Sequence, residues 1–316
     1  MVDKASRVMT IVGATGAMGK WFIQYFATRG WYVHAFSRSR EKLEMLKREI
    51  DNSPWKVNVT CTTELQQCVP GSAWIMLSVP ITAHEEVIKQ VALLARKDAV
   101  IFDIASVKGQ IPALLARARQ DHGIHVMSTH PMYGPGAESM KNKNFILIDL
   151  EGDKQVIDRF RAIIEPDKPT ILVTTAEDHD RMIAFTLGIP HMLNILFGKL
   201  LKDQGADISK LVAFEGTTFH LQHLISQEVV TQEPFIYATI ELENQAFIDM
   251  LSSFKTISES FIDILKRKDY DGFMKEFMAI KEYFAVVPEF KTVGYRFNSA
   301  ARRSLDIIKD GKETGN

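Results

Sequence analysis

Four short segments carry residue types at spacings that suit chemistry. The first is Gly13-Ala14-Thr15-Gly16-Ala17-Met18-Gly19, which follows the apolar run Val8 to Val12 and precedes KWFIQYF. Glycines at such a strand-to-helix turn let the backbone approach a pyrophosphate, whose charge the free N–H groups of a helix start stabilise. The spacing is GxxGxxG rather than GxGxxG, and glycines also serve simply to pack a helix on a strand. The second segment is Ser37-Arg38-Ser39-Arg40. An NAD-selective site usually presents a carboxylate there; Ser37, Arg38 and Arg40 instead suit a 2′-phosphate, so NADP is the expected cofactor, with NAD as the alternative. The third and fourth are Asp103-Ile104-Ala105-Ser106-Val107-Lys108-Gly109 and Ser128-Thr129-His130-Pro131-Met132-Tyr133-Gly134-Pro135. Pro131 biases His130 toward an extended backbone, holding an imidazole rigidly, and histidine suits general-base work near neutral pH. Plainer roles exist for each residue: His130 could cap a turn, Ser106 could cap the next helix, and Lys108 could point to water.

The elements that must position these segments are legible as alternation. Strand-length apolar runs at 8–13, 31–37, 73–79, 99–105 and 145–150 are separated by stretches at 18–29, 40–49, 83–95 and 109–120 with apolar residues at three- and four-residue steps. Such runs read as parallel strands buried on both faces of a doubly wound α/β sheet. A further strand is expected at 170–175, and the long stretches 182–202, 208–230 and 236–267 then read as helices. The expected organisation is α/β: a doubly wound Rossmann-type domain over 1–175, followed by an all-helical domain over 176–316 that ends in a polar tail, KDGKETGN.

Composition bounds the rest. The 316 residues are 46% hydrophobic, and 38 Lys and Arg against 39 Asp and Glu leave a formal net charge of −1, so no global field would hold the chain on nucleic acid or an anionic membrane. The two cysteines, Cys61 and Cys68, fit neither a zinc nor a redox CxxC pattern, and no metal is expected. With no signal-peptide core and no unbroken run of eighteen apolar residues, a cytoplasmic protein is the expectation.

In order, VGATGAMG, LSVPI at 77–81, DIASVKG, THPMYGP, EDHD at 177–180, Pro190-His191 and EPFIYATIELEN at 233–244 resemble the motifs of the prephenate dehydrogenase family, across nearly the whole chain. The resemblance implies oxidative decarboxylation of a prephenate-type cyclohexadienol by a homodimer joined through its helical domain. It implies that His130 accepts the 4-hydroxyl proton, that Ser106 hydrogen-bonds His130 or the 4-substituent, and that Lys108 is a charged support. It also implies that Gly13, Thr15, Gly16, Ala17, Met18, Gly19, Ser78, Val79 and Pro80 line the cofactor, and that His191 lies in the substrate pocket. His179 and Asp180 match a family dipeptide whose alternative role is to cap a helix. The apolar positions expected to pack against a second copy are Phe185, Met192, Ile195, Phe197, Phe247, Met250, Phe254 and Phe261.

The chain departs from the family at two positions. Where relatives usually carry an arginine six residues before the proline of the EPFIY-like motif, it has Glu228, and eight residues earlier it has His220. Both should face the substrate from one helix. Either another cation (Lys108, Lys199, Arg296, Arg302 or Arg303) holds the substrate carboxylate, or the alignment slips in this helix, or the substrate carries an amine that Glu228 or Glu215 pairs with. Prephenate and 4-amino-4-deoxyprephenate are then near equals, with arogenate third. Two other classes share the elements read so far: a β-hydroxyacid dehydrogenase and a nucleotide-sensing protein without turnover.

Overall fold

The computed structural model describes residues 7–150, 154–299 and 303. Its contacts divide the chain into two units: one comprises the chain through Ile183 plus Leu242–Gln245, the other Ala184–Glu241 and the chain from Ala246 onward.

The first unit is an eight-stranded sheet in the order β3-β2-β1-β4-β5-β6-β7-β8. Its strands are β1 (Val8–Val12), β2 (Tyr32–Phe36), β3 (Val59–Thr62), β4 (Trp74–Leu77), β5 (Val100–Asp103), β6 (His125–Pro131), β7 (Asn144–Ile148) and β8 (Thr170–Thr174). Helices α1 (Ala17–Ala27), α2 (Arg40–Asp51), α3 (Leu65–Cys68), α4 (His84–Leu94), α5 (Ile111–His122) and α6 (Lys154–Ile164) connect them. The period of two along each strand separates two cores. Met9, Ile11, Trp74, Met76, Val100 and Phe102 enter one, while Val12, Ile75, Leu77, Ala99 and Ile101 enter the other. β1 lies between β2 and β4, so the strand order reverses there, and Val12, Leu77, Asp103 and Ser128 are in register across β1, β4, β5 and β6. The carboxyl ends of these parallel strands therefore form one edge, where ligands of such sheets bind.

Three features depart from the expected pattern. β7 runs antiparallel to β6, because Met132–Lys143 between them contains no crossover helix. β3, a short half-exposed edge strand, and β6 carry too many polar residues to register as apolar runs. Contacts also assign α7 (Ala176–Ile183) to the first unit, eight residues past the expected boundary.

The second unit is helical, but two expected long helices are broken. The stretch 208–230 divides at Gly216 into α9 (Ile208–Ala213) and α10 (Thr217–Thr231). The stretch 236–267 divides at Glu243-Asn244 into α11 (Pro234–Leu242) and α12 (Gln245–Arg267). A π-helical turn, Ala184–Gly188, precedes α8 (Ile189–Asp203), and α13 (Tyr270–Phe284) follows α12. By length and composition, the helical stretch Ala176–Asp203 could cross a membrane. It gains that length because the π turn carries helical hydrogen bonding through a segment that also holds His179 and Asp180. Phe247, expected to face a second copy, is 2% exposed and packs under Gly188, where an added Cβ would lie 2.4 Å from its ring. The tail KDGKETGN lies outside the described residues.

Candidate active site

The glycine loop is shaped by close backbone approach. Gly13 has φ +89°, and a Cβ there would lie 2.1 Å from the carbonyl oxygen of Ser78. A Cβ on Gly19 would lie 2.5 Å from the Gly13 carbonyl oxygen, so α1 can seat on the loop only without a side chain at that position. Gly16 begins α1 without a side-chain cap, and no acidic residue occupies the first turn, which includes Ala17 and Met18. The Gly16 N–H donates to the Gly13 carbonyl at 3.1 Å, and the N–H groups of Ala17 and Met18 are available to an anion. Ser78, Val79 and Pro80 come beside the loop: the Ser78 N–H donates to the Val12 carbonyl at 2.8 Å, and Val79 Cγ1 lies 3.1 Å from the Gly13 Cβ position. The Thr15 and Ser37 hydroxyls are 3.2 Å apart, and Ser37 is 7% exposed. Ser39 caps α2, accepting from the Lys42 N–H, while Arg38 and Arg40 stand exposed beside it.

At the ends of β5 and β6 lies a buried polar cluster. Lys108 and Asp103 are both fully buried, with Nζ and Oδ2 2.6 Å apart, and the same ammonium donates to the Thr129 carbonyl at 2.7 Å. Ser128 Oγ and the Ala105 N–H also donate to the Asp103 carboxylate. Burial pushes the Lys108 pKa downward while Asp103 opposes it. Lys108, expected as a charged support near this edge, has its ammonium fully buried, with Asp103 and the Thr129 carbonyl as its partners.

His130, 4% exposed on β6, has Nδ1 2.9 Å from His179 Nε2 on α7. Nδ1 of His179 lies 2.8 Å from Asp180 Oδ1. Burial holds His130 well below the usual histidine pKa, and the nearby Lys108 and His179 add to the effect. Burial likewise lowers His179. For Asp180 burial acts upward, but hydrogen bonds from His179 and from the Gly109 and Lys108 N–H groups outweigh it, so its carboxyl stays below the usual range. Ser106, expected to bond either His130 or the substrate's 4-substituent, is half-buried and makes no hydrogen bond to His130 among the described residues. The imidazole's partner is His179, and the cap of α7 is Thr175, whose Oγ1 accepts from the Asp178 N–H.

In the second unit the ring centroids of His191 and Tyr237 are 4.6 Å apart, and His191 Nδ1 lies 3.7 Å from Glu241 Oε1. Glu241 is 6% exposed, yet neither carboxylate oxygen has a hydrogen-bond partner among the described residues. His220 is buried, with Nδ1 3.2 Å from Glu215 Oε1. Glu228, expected on the same face as His220, is exposed and accepts from Gln232 at 3.0 Å, because eight residues of helix rotate it away from that buried position. It remains close enough to Tyr237 to raise that phenol's pKa, after burial. Of the substitute cations, Lys199 pairs with Asp203 on the surface, Arg296 and Arg303 are exposed, and Arg302 lies outside the described residues.

Residues 47–173 match the family model described as prephenate dehydrogenase, nucleotide-binding domain, and residues 175–279 the one described as prephenate dehydrogenase, dimerization domain. The chain belongs to the prephenate dehydrogenase family. Within that family it is similar to a probable arogenate/prephenate dehydrogenase of Methanocaldococcus jannaschii, 27% identical over 278 residues that cover 87% of this chain and 60% of that protein. It is similar also to the T-protein of Enterobacter agglomerans, 23% identical over 279 residues, covering 88% and 68% of the two chains. The chain thus spans 60% of the length of the first of these relatives. Among solved structures, prephenate dehydrogenase from Aquifex aeolicus in complex with hydroxyphenyl propionate and NAD+ shares the fold at TM-score 0.70, with 18% identity and coverage of 89% and 98%. The Synechocystis arogenate dehydrogenase shares it at TM-score 0.64, with 18% identity and coverage of 89% and 100%. Against this family background, His179, Asp180 and Glu241 are candidate site residues that the sequence alone did not join to His130 or His191. The signal for the first two was the dipeptide, and nothing in the sequence joins it to a histidine 49 positions earlier.

Proposed function

We propose that this chain catalyses the NAD(P)-dependent oxidative decarboxylation of prephenate or its 4-amino-4-deoxy analogue to a 4-substituted phenylpyruvate, or of arogenate to the corresponding 4-hydroxyphenyl amino acid. The observation that carries this reading is the desolvated imidazole of His130 at the same sheet edge as an open, uncapped glycine loop. The glycine loop and α1 N-terminus would hold the pyrophosphate, with Thr15, Gly16, Ala17 and Met18 around it and Ser78, Val79 and Pro80 along the adjoining strand end. The bound nicotinamide supplies the acceptor for the hydride leaving C4. His130 Nε2 takes the proton from the 4-substituent as that hydride departs, the bond from the ring to the carboxylate breaks, CO2 leaves, and the ring becomes aromatic. With His130 hydrogen-bonded to His179, Ser106 is left to contact the substrate's 4-substituent. Ser37, Arg38 and Arg40 favour NADP, whose 2′-phosphate suits exposed guanidinium forks at the end of β2.

Glu241 favours the amine-bearing members of this substrate class, 4-amino-4-deoxyprephenate and arogenate. A buried carboxylate with neither oxygen hydrogen-bonded is costly, and an ammonium group would satisfy it; within the second unit its neighbour is His191, whose Nδ1 lies 3.7 Å from Glu241 Oε1. The dimerization-domain match and exposed apolar side chains on the second unit, among them Phe185, Leu200, Phe277 and Val286, support a homodimer.

The test is formation of reduced nicotinamide from NADP and NAD with freshly prepared prephenate, arogenate and 4-amino-4-deoxyprephenate. Turnover of one of the three is expected. Turnover of none, with oxidation of a simple 3-hydroxy acid, would place the chemistry in the β-hydroxyacid class; cofactor binding without any turnover would make the chain a sensor. Glu241→Gln should cut kcat/KM for an amine-bearing substrate by about 10-fold or more relative to prephenate, and an unchanged ratio would remove Glu241 from recognition.

A further inference from the structure

We infer that Asp180 and His179 form a positioning pair that fixes the tautomer of His130, keeping its proton on Nδ1 and its lone pair on Nε2. The inference follows from counting donors along the chain of contacts and rests on the reading of His130 as the base. An ionised carboxylate only accepts. Asp180 Oδ1, 2.8 Å from His179 Nδ1, therefore requires the proton on that nitrogen. In a neutral His179 this leaves a lone pair on Nε2, which lies 2.9 Å from His130 Nδ1. His130 must then donate from Nδ1, and its Nε2 is free to accept a proton. Which ring nitrogen of a histidine is protonated is set by the hydrogen bond that the other one makes.

The pair is held on both sides. Asp180 Oδ1 and Oδ2 receive the N–H groups of Lys108 and Gly109, each at 2.9 Å. Gly109 has φ +45°, a conformation that other residues adopt with strain. The Asn244 side-chain amide donates to the Asp180 carbonyl at 2.9 Å, which anchors the backbone of α7 at this residue. His179 is 1% exposed, so its ring nitrogens are shielded from bulk solvent. The charged groups around the two imidazoles are Lys108, Asp103 and Asp180. Burial first, and then the Lys108 ammonium, oppose protonation of either ring and for His179 outweigh the upward pull of Asp180, which keeps that imidazole in the single-donor state the relay needs. Neither His179 nor Asp180 has to touch substrate; both act through His130.

The test uses the full chain with its nicotinamide bound and its histidines labelled with nitrogen-15. Two-bond proton–nitrogen correlations report the tautomer, and His130→Gln assigns the signals. The expected spectrum shows Nδ1 of His130 protonated and Nε2 unprotonated; a proton on Nε2 in the unsubstituted chain overturns the inference. Asp180→Asn, whose side-chain amide can donate to His179 Nδ1, should move the His130 proton to Nε2 and lower kcat by about 10²–10⁴-fold, with the KM for the nicotinamide unchanged. An unshifted tautomer in a folded Asp180→Asn chain also overturns the inference. A shifted tautomer with undiminished kcat would uphold the pair and refute instead the reading of His130 as the base.

Discussion

Replacing Lys108 by Met tests how the polar cluster under the site is held. The wild-type ion pair is 2.6 Å long with both side chains fully buried. Met fills much the same volume but leaves the Asp103 carboxylate with the Ser128 hydroxyl and the Ala105 N–H as its remaining donors, and the Thr129 carbonyl without its ammonium. Removing one partner of a buried pair costs about 3–5 kcal/mol, because the other charge stays desolvated and unpaired. For a unit of this size each kcal/mol moves the melting temperature by about 2–4 °C, so the midpoint should fall by roughly 6–20 °C. Circular dichroism during heating and in urea measures this. A double-mutant cycle with Asp103→Asn should return a coupling of about 1–3 kcal/mol. A second readout follows from charge: with the ammonium gone, the His130 pKa rises, so the acid limb of kcat/KM moves to higher pH. A Lys108→Met chain within about 0.5 kcal/mol of wild type, where ordinary surface substitutions fall, would refute the assignment of Lys108 as a buried structural charge.

Gly188→Ala should destabilise the second unit by about 1–3 kcal/mol through overpacking, since its Cβ would meet the Phe247 ring at 2.4 Å; urea unfolding reads this, and Phe247→Leu in the same chain should recover most of it. Arg38→Ala and Arg40→Ala should each raise the KM for NADP by about 10-fold or more, the worth of a charge-assisted hydrogen bond, while leaving the KM for NAD unchanged. His130, His179 and His84 are all held below the usual histidine pKa, first by burial. The unfolded chain protonates them near pH ~6.5, so the stability tied to their neutral forms is complete above that value and is lost as pH falls toward the lower folded values. Urea midpoints should accordingly drop between about pH 7 and pH 5, and a flat profile would contradict the buried neutral state.

What could be read in advance follows from how each element is stabilised. β1, β4 and β5 are almost wholly buried and almost wholly apolar, so their runs announce them. β6 is as deeply buried but carries Ser128-Thr129-His130, whose polar groups bond to Asp103 and His179. Its signal was the absence of a helix between residues 131 and 144, which also implies the antiparallel pairing with β7. The glycine loop was legible because steric closeness restricts residue type directly. Lys108 was legible as a residue of interest but not in its role, since a motif position does not reveal which way a side chain points. The breaks at Gly216 and Asn244 were hidden inside stretches whose apolar residues keep helical spacing on both sides. His179, Asp180 and Glu241 are defined by partners far away in the chain or, for Glu241, by the lack of any, and local patterns record neither.

The brief return of the chain to the first unit at Leu242–Gln245 has a consequence for the order in which the protein is made. Asn244 supplies the amide that anchors Asp180, and the Glu243 carbonyl lies 3.6 Å from the Cβ position of Gly109, beside the other end of the same carboxylate. A ribosome adds residues one at a time, at about 5–20 per second, and domains ordinarily fold as they emerge. Here the sheet is fully synthesised once β8 and α7 have been added, yet the clamp on Asp180 waits until residue 245 has been made. The first unit is thus spatially self-contained but temporally dependent on most of the helical segment. A chain truncated after Ile183 would carry every strand and still leave the carboxylate behind His130 without its last fastening.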